Sequence, residues 1–574
     1  MDIKNKEHFE KIIAIIVPII FLAYGLCKSA KGIDLIDSGY NYGNFKHLKT
    51  LDGMWFYSTF LANITGAFLT MLPFGKYMLG MNIYCGIIKC IIPISVYFFM
   101  TKKFDIPKRF AFFGEICALG LCWCPVALLY NSLTYLLFTV SAMILISGLI
   151  ENDKKRLFLA GIVLGLNLFT RLPNICECAL ILVVIFNDIL NKEKPAECIR
   201  KSLLCVAGYA AAVIVLLLIA GPVDYINGVT SLMFDATKEA ADYRPDGMIV
   251  SILSGYKDNL FYIIRTVAVL IMTMVVSMII PVKYKKVRLI SAIIISVTFL
   301  IYMWKNMLFD FDYKSFGSAY QIGALSVTMS LTVFVIALFD KEKKKEIKLL
   351  SLTGIIVILI TPIGSNNGIE PVLNNMFLIY PVMAYLIWDY GKYEKVFIKG
   401  RLKSDMVCGV LGSVIMMLLV SAFMYGMTGL FRDADATREV DNLKVLSGMK
   451  TNEDRAEDIR LLADYFEETG NKNLLLYGNI PALMYYLDGK PVISSSWPDL
   501  DSYNSMKFEN EINSMTDHPV IMIGQGSLLY EMEDLTAEVS LDLSEKEKIL
   551  LEYIKNNEYT LDYVNRIAKV YILK

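Results

Sequence analysis

Two carboxylates and two phenols recur at short spacing in Gly32-Ile33-Asp34-Leu35-Ile36-Asp37-Ser38-Gly39-Tyr40-Asn41-Tyr42-Gly43-Asn44-Phe45, which follows the first long apolar run, Ile12 to Cys27. An aspartate at that junction keeps its charge because water reaches it. It also stands beside low-dielectric lipid, where a carboxylate is a stronger base. Proton abstraction is the chemistry for which Asp37, with Asp34 nearby, is suited, although ionisable groups at helix ends are often merely solvated or snorkelling. Other reactive constellations are missing. The three histidines, His8, His47 and His518, are too scattered for a histidine metal site. Cys122 with Cys124, and Cys176 with Cys178, lie in apolar runs at spacings unlike a zinc ribbon and read as small buried hydrophobes. There is no P-loop lysine motif, zinc-protease helix or nucleophile elbow, and Gly524-Gln525-Gly526 reads as a turn.

The elements that must position these residues are membrane helices. Hydrophobic residues make up 55% of the 574 and charged residues 20%, with mean hydropathy +0.50, the signature of a membrane protein. Basic and acidic residues balance at 56 each, which gives no field for nucleic acid. About thirteen runs are long enough to span the bilayer: 12–28, 78–100, 109–127, 132–150, 157–173, 175–190, 202–221, 260–282, 288–304, 320–339, 348–362, 371–388 and 406–430. The first lacks a small-residue cleavage site and reads as a retained helix.

Alternate loops are basic: Lys102, Lys103, Lys108, Arg109; Lys154, Lys155, Arg156; Lys192, Lys194, Arg200, Lys201; Lys283, Lys285, Lys286, Arg288; Lys341, Lys343, Lys344, Lys345; and Lys392, Lys395, Lys399, Arg401, Lys403. The positive-inside rule makes these cytoplasmic, together with the N-terminus, and an odd number of crossings places residues 432–574 outside. The first outer loop, about 29–77, contains an amphipathic middle, Trp55 to Leu61, suited to an interfacial helix. A second, Pro222 to Asn259, reads as a further interfacial helix followed by the turn Arg244-Pro245-Asp246-Gly247, with Asp224, Asp235, Lys238, Asp242 and Lys257 among its apolar residues. Polar residues are expected to gather in these outer loops.

From Arg432 the composition is that of a soluble domain. Asn452 to Glu468 reads as an amphipathic helix capped by Thr451, Asn473 to Asn479 and Pro519 to Gly524 as buried strands, Ile480 to Leu487 and Glu545 to Asn556 as helices, and Arg566 to Leu573 as a last strand. The alternation predicts a small α/β domain with a mostly parallel sheet.

This layout, with Asp37-Ser38-Gly39-Tyr40, Tyr130-Asn131-Ser132-Leu133-Thr134-Tyr135, Gly165-Leu166-Asn167-Leu168-Phe169-Thr170-Arg171, Tyr477-Gly478-Asn479-Ile480-Pro481 and Trp497-Pro498-Asp499-Leu500, resembles the bacterial GT-C-type membrane glycosyltransferases, relatives of protein mannosyltransferases and lipid A aminoarabinose transferases. The family's acidic pair in the first outer loop is matched here by Asp37-Ser38, which lacks the glutamate, and Asn131 stands where a second-loop acid is common.

The resemblance implies a polytopic GT-C-like helical fold over 1–431 with an extracytoplasmic α/β domain over 432–574. It implies transfer of a hexosyl or pentosyl group from a polyprenyl-phosphate donor to a glycan, lipid or protein acceptor at the outer face. Asp37 would be the general base, with Asp34 as a second carboxylate. Loss of the lipid phosphate needs a fixed cation, for which Arg171, Lys305 and Lys314 are the candidates. Tyr40, Tyr42, Asn131, Asn366 and Asn367 are candidates for sugar or acceptor contacts, although Asn366-Asn367-Gly368 also reads as a tight turn. No cofactor is assigned, and a divalent metal is left open. The rival reading is a transporter or flippase of lipid-linked sugars, whose mark would be internal repeats and charges at the bilayer midplane.

Overall fold

The structure, a computed structural model, describes residues 3–236, 245–306, 312–314, 316–392, 405–533 and 542–573. Lys238, Asp242, Arg244, Lys395, Lys399, Arg401 and Lys403 lie outside the described residues. The helical part comprises α1 (Ile3–Leu26), α2 (Asp37–Lys46), α3 (Gly53–Ser58), α4 (Phe60–Thr70), α5 (Met78–Lys103), α6 (Lys108–Leu121), α7 (Leu129–Glu151), α8 (Lys154–Leu168), α9 (Ile181–Asn191), α10 (Pro195–Ala220), α11 (Pro222–Ala236), α12 (Pro245–Ile279), α13 (Lys285–Lys305), α14 (Phe316–Phe339), α15 (Lys345–Ile360), α16 (Tyr380–Lys392) and α17 (Asp405–Thr428).

Each of the apolar runs holds a helix, and eight of the helical segments described are long and apolar enough to cross a membrane. The chain is a multi-pass membrane protein. Several boundaries differ from expectation, two of them at prolines. Pro245 opens α12 instead of sitting in a turn, because a proline is well suited to a first helical turn, where no N–H is needed. For the same reason the run predicted at 371–388 resolves into a 3₁₀ turn, Glu370–Asn375, and then α16, with Pro381 in its first turn.

Polar groups are not confined to outer loops, as the sequence suggested. Lys89, Glu115, Glu177, Asp188, Lys201 and Arg288 are all buried among the helices. Most are matched. Lys201 bonds Asp188 at 2.7 Å, Glu177 accepts from Asn167 at 2.7 Å, and Arg288 pairs with Asp405 and donates to the Ser277 and Ile280 carbonyls at 2.7 Å each. Such pairing is what makes charge tolerable in a low-dielectric interior. Both oxygens of Glu115 lack a hydrogen-bond partner among the described residues.

The C-terminal part contains β1 (Arg438–Glu439), β2 (Lys450–Thr451), α18 (Glu453–Glu468), β3 (Asn473–Tyr477), α19 (Leu483–Tyr486), β4 (Lys490–Pro491), α20 (Ser505–Asn513), β5 (Val520–Gly524), α21 (Leu528–Glu531), α22 (Glu545–Asn556), β6 (Tyr559–Val564) and β7 (Ala568–Leu573). Its main sheet runs β4-β3-β5-β7-β6 and is mixed, a correction to the mostly parallel sheet expected: β4-β3-β5 pair in parallel, β5-β7-β6 antiparallel. The cause is an unpredicted hairpin. Asn565 accepts from the N–H groups of Ile567 and Ala568, closing a short turn that makes β6 and β7 antiparallel neighbours. The cap of α18 is Asn452, which accepts from Arg455 N at 2.9 Å, and not Thr451, whose hydroxyl donates to Asp433 at 2.6 Å.

The first outer loop shares a hydrophobic core with this sheet. Ile33, Tyr42 and Phe45 pack in one cluster with Leu474, Ala482, Tyr485 and Met522, and with Met81 and Leu133 from the bundle. Helix α2 is wedged between the two bodies. Gly39 makes this possible, since a Cβ there would lie 2.5 Å from Ala482 Cβ, whereas at Gly43 it would meet Tyr485 at an ordinary 3.7 Å. Gly39→Ala is expected to destabilise the protein by about 1–3 kcal/mol by forcing α2 off the sheet. Gly43→Ala should be neutral or stabilising through helix propensity. Thermal unfolding of the two variants in detergent checks the contrast.

Candidate functional site

Helix α2 begins where it does because Asp34 caps it. The Asp34 carboxylate accepts from Ile36 N at 3.0 Å and from Ser38 N at 3.2 and 3.1 Å, while its own carbonyl accepts from the Tyr486 hydroxyl at 2.6 Å. Asp34 is buried and committed to these backbone donors. Asp37 is therefore the first residue of α2, where the helix dipole favours negative charge. Its Oδ2 lies 2.8 Å from Arg432 Nη1, and its side chain is 20% exposed. Burial pushes the Asp37 carboxyl up from 3.8 to about 6, against the lowering pull of Arg432 and with a further rise from the Asp34 charge. The result is a carboxylate that is ionised at neutral pH yet a stronger base than a solvated one.

Arg432 was not singled out from sequence, although it is the first cation after the last apolar run. It adopts a left-handed backbone at φ 49°, a conformation uncommon for a non-glycine residue. Its carbonyl accepts from Arg455 at 2.9 Å. Its guanidinium lies 5.0 Å over the Phe431 ring, which stacks on Trp123 at 6.2 Å. The neighbouring Asp433 carboxylate, its side chain fully buried, accepts from Ile33 N at 2.9 Å, Thr451 at 2.6 Å and Asn452 at 2.8 Å, and pairs with Arg455 at 3.3 Å. Arg455 also donates to the Ile33 carbonyl at 2.8 Å. The first outer loop and the segment after α17 are thus fastened together directly beside Asp37.

Among the other predicted residues, Arg171 and Asn131 come together. Arg171 donates to Asn131 Oδ1 at 3.3 Å and to the carbonyls of Gly364 at 2.5 Å and Ile363 at 3.2 Å. Gly364, at φ 89°, leaves the space this requires, since a Cβ would sit 2.6 Å from the guanidinium. Asn131 in turn donates to Cys124 Sγ at 3.1 Å, and Cys124 lies within Coulombic reach of Asp37.

Lys314 pairs instead with Asp435 at 2.5 Å, and Lys305 stands exposed at the end of α13. Neither contacts Asp37 among the described residues. Asn366 and Asn367 are exposed in a turn held by Ser251, whose hydroxyl donates to the Asn366 carbonyl at 2.7 Å and accepts from Gly368 N at 2.9 Å.

Tyr42 and Tyr40 correct the expectation of sugar stacking. Tyr42 is fully buried, donates to Asn82 at 2.7 Å and packs against Tyr485. Tyr40 is buried edge-on to Trp497 at 5.5 Å. Both rings are enclosed by side chains, Tyr42 by Phe45 and Tyr485 and Tyr40 by Trp497.

Among the described residues no group of three or more histidine, cysteine or acidic side chains is arranged to hold a metal ion. Asp34 is taken up by backbone N–H groups and Asp37 by Arg432. A separate cleft of about 800 Å³ opens between α3, α11 and α20, with the Asp52–Lys507 pair and Glu511 in its wall. It contains none of the predicted site residues.

No family model matches the chain, and no curated protein matches it. Among solved structures it is similar to the archaeal oligosaccharyltransferase AglB from Archaeoglobus fulgidus, in complex with an inhibitory peptide and a dolichol-phosphate, at 12% identity and TM-score 0.41 over 90% of this chain and 70% of that one.

Because the Asp37 carboxyl is raised above its unfolded value, its contribution to stability is fully present below about pH 4 and is lost as pH rises through about 6. Arg432→Gln removes the lowering influence, so the titration midpoint of Asp37 should move upward. Isotope-edited infrared titration of the carboxyl band is the check, with Asp37→Asn to assign the band.

Proposed function

We propose that this protein is a membrane glycosyltransferase that moves a sugar from a polyprenyl-phosphate donor to an acceptor hydroxyl or amine at the outer face. The observation that supports this most is the Asp37–Arg432 pair at the start of α2, a base and a cation side by side between the helix bundle and the α/β sheet. In the step we infer, the acceptor attacks the anomeric carbon as Asp37 takes its proton. The bond from that carbon to the lipid phosphate breaks, and its electron pair leaves with the phosphate. Protonation of Asp37 releases Arg432 from its partner at the moment negative charge grows on the leaving phosphate, so the same cation serves as counter-ion first to the base and then to the leaving group. Arg171, held beside Asn131, is the second cation on this rim, and Lys305 and Lys314 are more distant candidates. In this reading the α/β part, residues 432–574, covers this face, and thirteen spans with their basic loops in the cytoplasm would leave it outside.

Asp37→Asn should leave expression and thermal stability intact and lower transfer from a radiolabelled lipid-phosphate sugar by about 10²–10⁴-fold. In the wild type, the acid limb of the rate profile should fall near pH 6. Undiminished transfer by the variant would remove Asp37 as the base. A second reading, a flippase of lipid-linked sugars, is favoured by the unpartnered Glu115 buried among the helices. Movement of labelled donor across liposomes without transfer, abolished in Glu115→Gln and retained in Asp37→Asn, would establish it.

A further inference from the structure

On the side of the bundle where the basic loops lie, a groove of about 600 Å³ runs between α6, α16 and α17. Phe110, Phe113, Met383, Trp388, Ile415 and Leu419 form much of its apolar wall. It extends along α17 from Asp405 to Leu419, ~21 Å at the helical rise, compared with ~15 Å for one leaflet. Gly412 faces open space, since a Cβ built there meets no atom within 4 Å. Among helices that bury their other contacts, a void of this length in the bilayer is filled by something apolar, because water there would find few partners.

The mouth is not apolar. Arg109, exposed in the first turn of α6, holds its guanidinium 4.8 Å over both the Phe110 and Trp388 rings. Among the described residues Arg109 has no carboxylate partner. Asp405, the acid at the same end, is already matched by Arg288. The first turn of α6 adds the positive end of a helix dipole. Among the described residues the mouth is thus left with a cation that no carboxylate matches, pinned on two aromatic rings above a chain-length apolar channel.

We propose that this groove binds an anionic glycerophospholipid of the adjoining leaflet, with one acyl chain between α6 and α17 and its phosphate on Arg109. Charge complementarity selects the headgroup, and the length and apolar lining of the groove select the chain. The site is separate from Asp37 and does not depend on the proposed reaction.

The test uses the full chain in phosphatidylcholine nanodiscs, in a Trp304→Phe background that removes an exposed tryptophan. Brominated-chain phosphatidylglycerol at low mole fraction should quench Trp388 more strongly than brominated phosphatidylcholine at the same fraction. Arg109→Gln should weaken that preference roughly tenfold, the loss of one charge-assisted contact. Gly412→Leu, whose Cβ would meet no atom within 4 Å and whose side chain would occupy the channel, should abolish it while leaving helicity unchanged. Equal quenching by the two lipids, or a preference that survives in both variants, overturns the proposal. If unlabelled polyprenyl phosphate displaces the quencher more effectively than phosphatidylglycerol does, the groove belongs to that carrier and the phospholipid assignment is wrong.

Discussion

The buried carboxylate of Asp433 is the interaction on which the joint between the helix bundle and the α/β part depends. A charge with no exposed surface is tolerated only when donors surround it, and here the donors come from different parts of the chain: the backbone of Ile33, the side chains of Thr451 and Asn452, and the guanidinium of Arg455. One ion therefore ties the loop after α1 to the segment after α17 and to the start of α18. The next residue back, Arg432, is presented to Asp37 as a consequence. Asp37 is positioned by a network of which it is not a member.

That network explains why the α/β part is not an independent cap. Helix α2 has most of its residues buried, and Tyr42 and Phe45 belong to the same cluster as the β3 and β5 side chains. A short helix that carries serine, asparagine and glycine beside its tyrosines would leave those polar positions in water if it were only a loop helix. Here Ser38 and Asn41 are buried along with Tyr40 and Tyr42, as they must be in a helix with protein on both sides. The pKa of Asp37 follows from this enclosure: desolvation by burial, with a further rise from the Asp34 charge, outweighs the lowering pull of Arg432.

Within the bundle the same accounting holds in lipid. Arg288 is satisfied by two carbonyls, a serine and Asp405, and Lys201 by two acids. Such groups are placed where a neighbouring helix supplies the counter-ion, and they fasten helices that apolar contact alone would leave free to slide, since lipid tails compete equally for an apolar helix face. Among the described residues Glu115 departs from this rule, buried with no hydrogen-bond partner for either oxygen, and Arg109 stands exposed beside an apolar groove.

The sequence alone determined the membrane class, the positions of the apolar helices and most elements of the α/β part, because each depends on local composition and period: long apolar runs, a 3.6-residue stripe, a short run of Leu-Leu-Leu or Val-Ile-Met-Ile. It also located Asp37, because a carboxylate just past an apolar run is visible without any fold, and it placed Arg171 and Asn131, which prove to be partners. What it did not contain was the environment of those residues. Asp34 and Asp37 look alike on paper, and only the geometry at the start of α2 makes one an acceptor for backbone N–H groups and the other the partner of Arg432. Tyr42 reads as a candidate for sugar contact until Tyr485, more than four hundred residues later, packs against it. Arg432 has no local signature, and its pairing with Asp37 arises from contacts nearly four hundred residues apart in the chain. Burial and long-range pairing are properties of tertiary structure, and they decide which of several similar side chains is fit for chemistry.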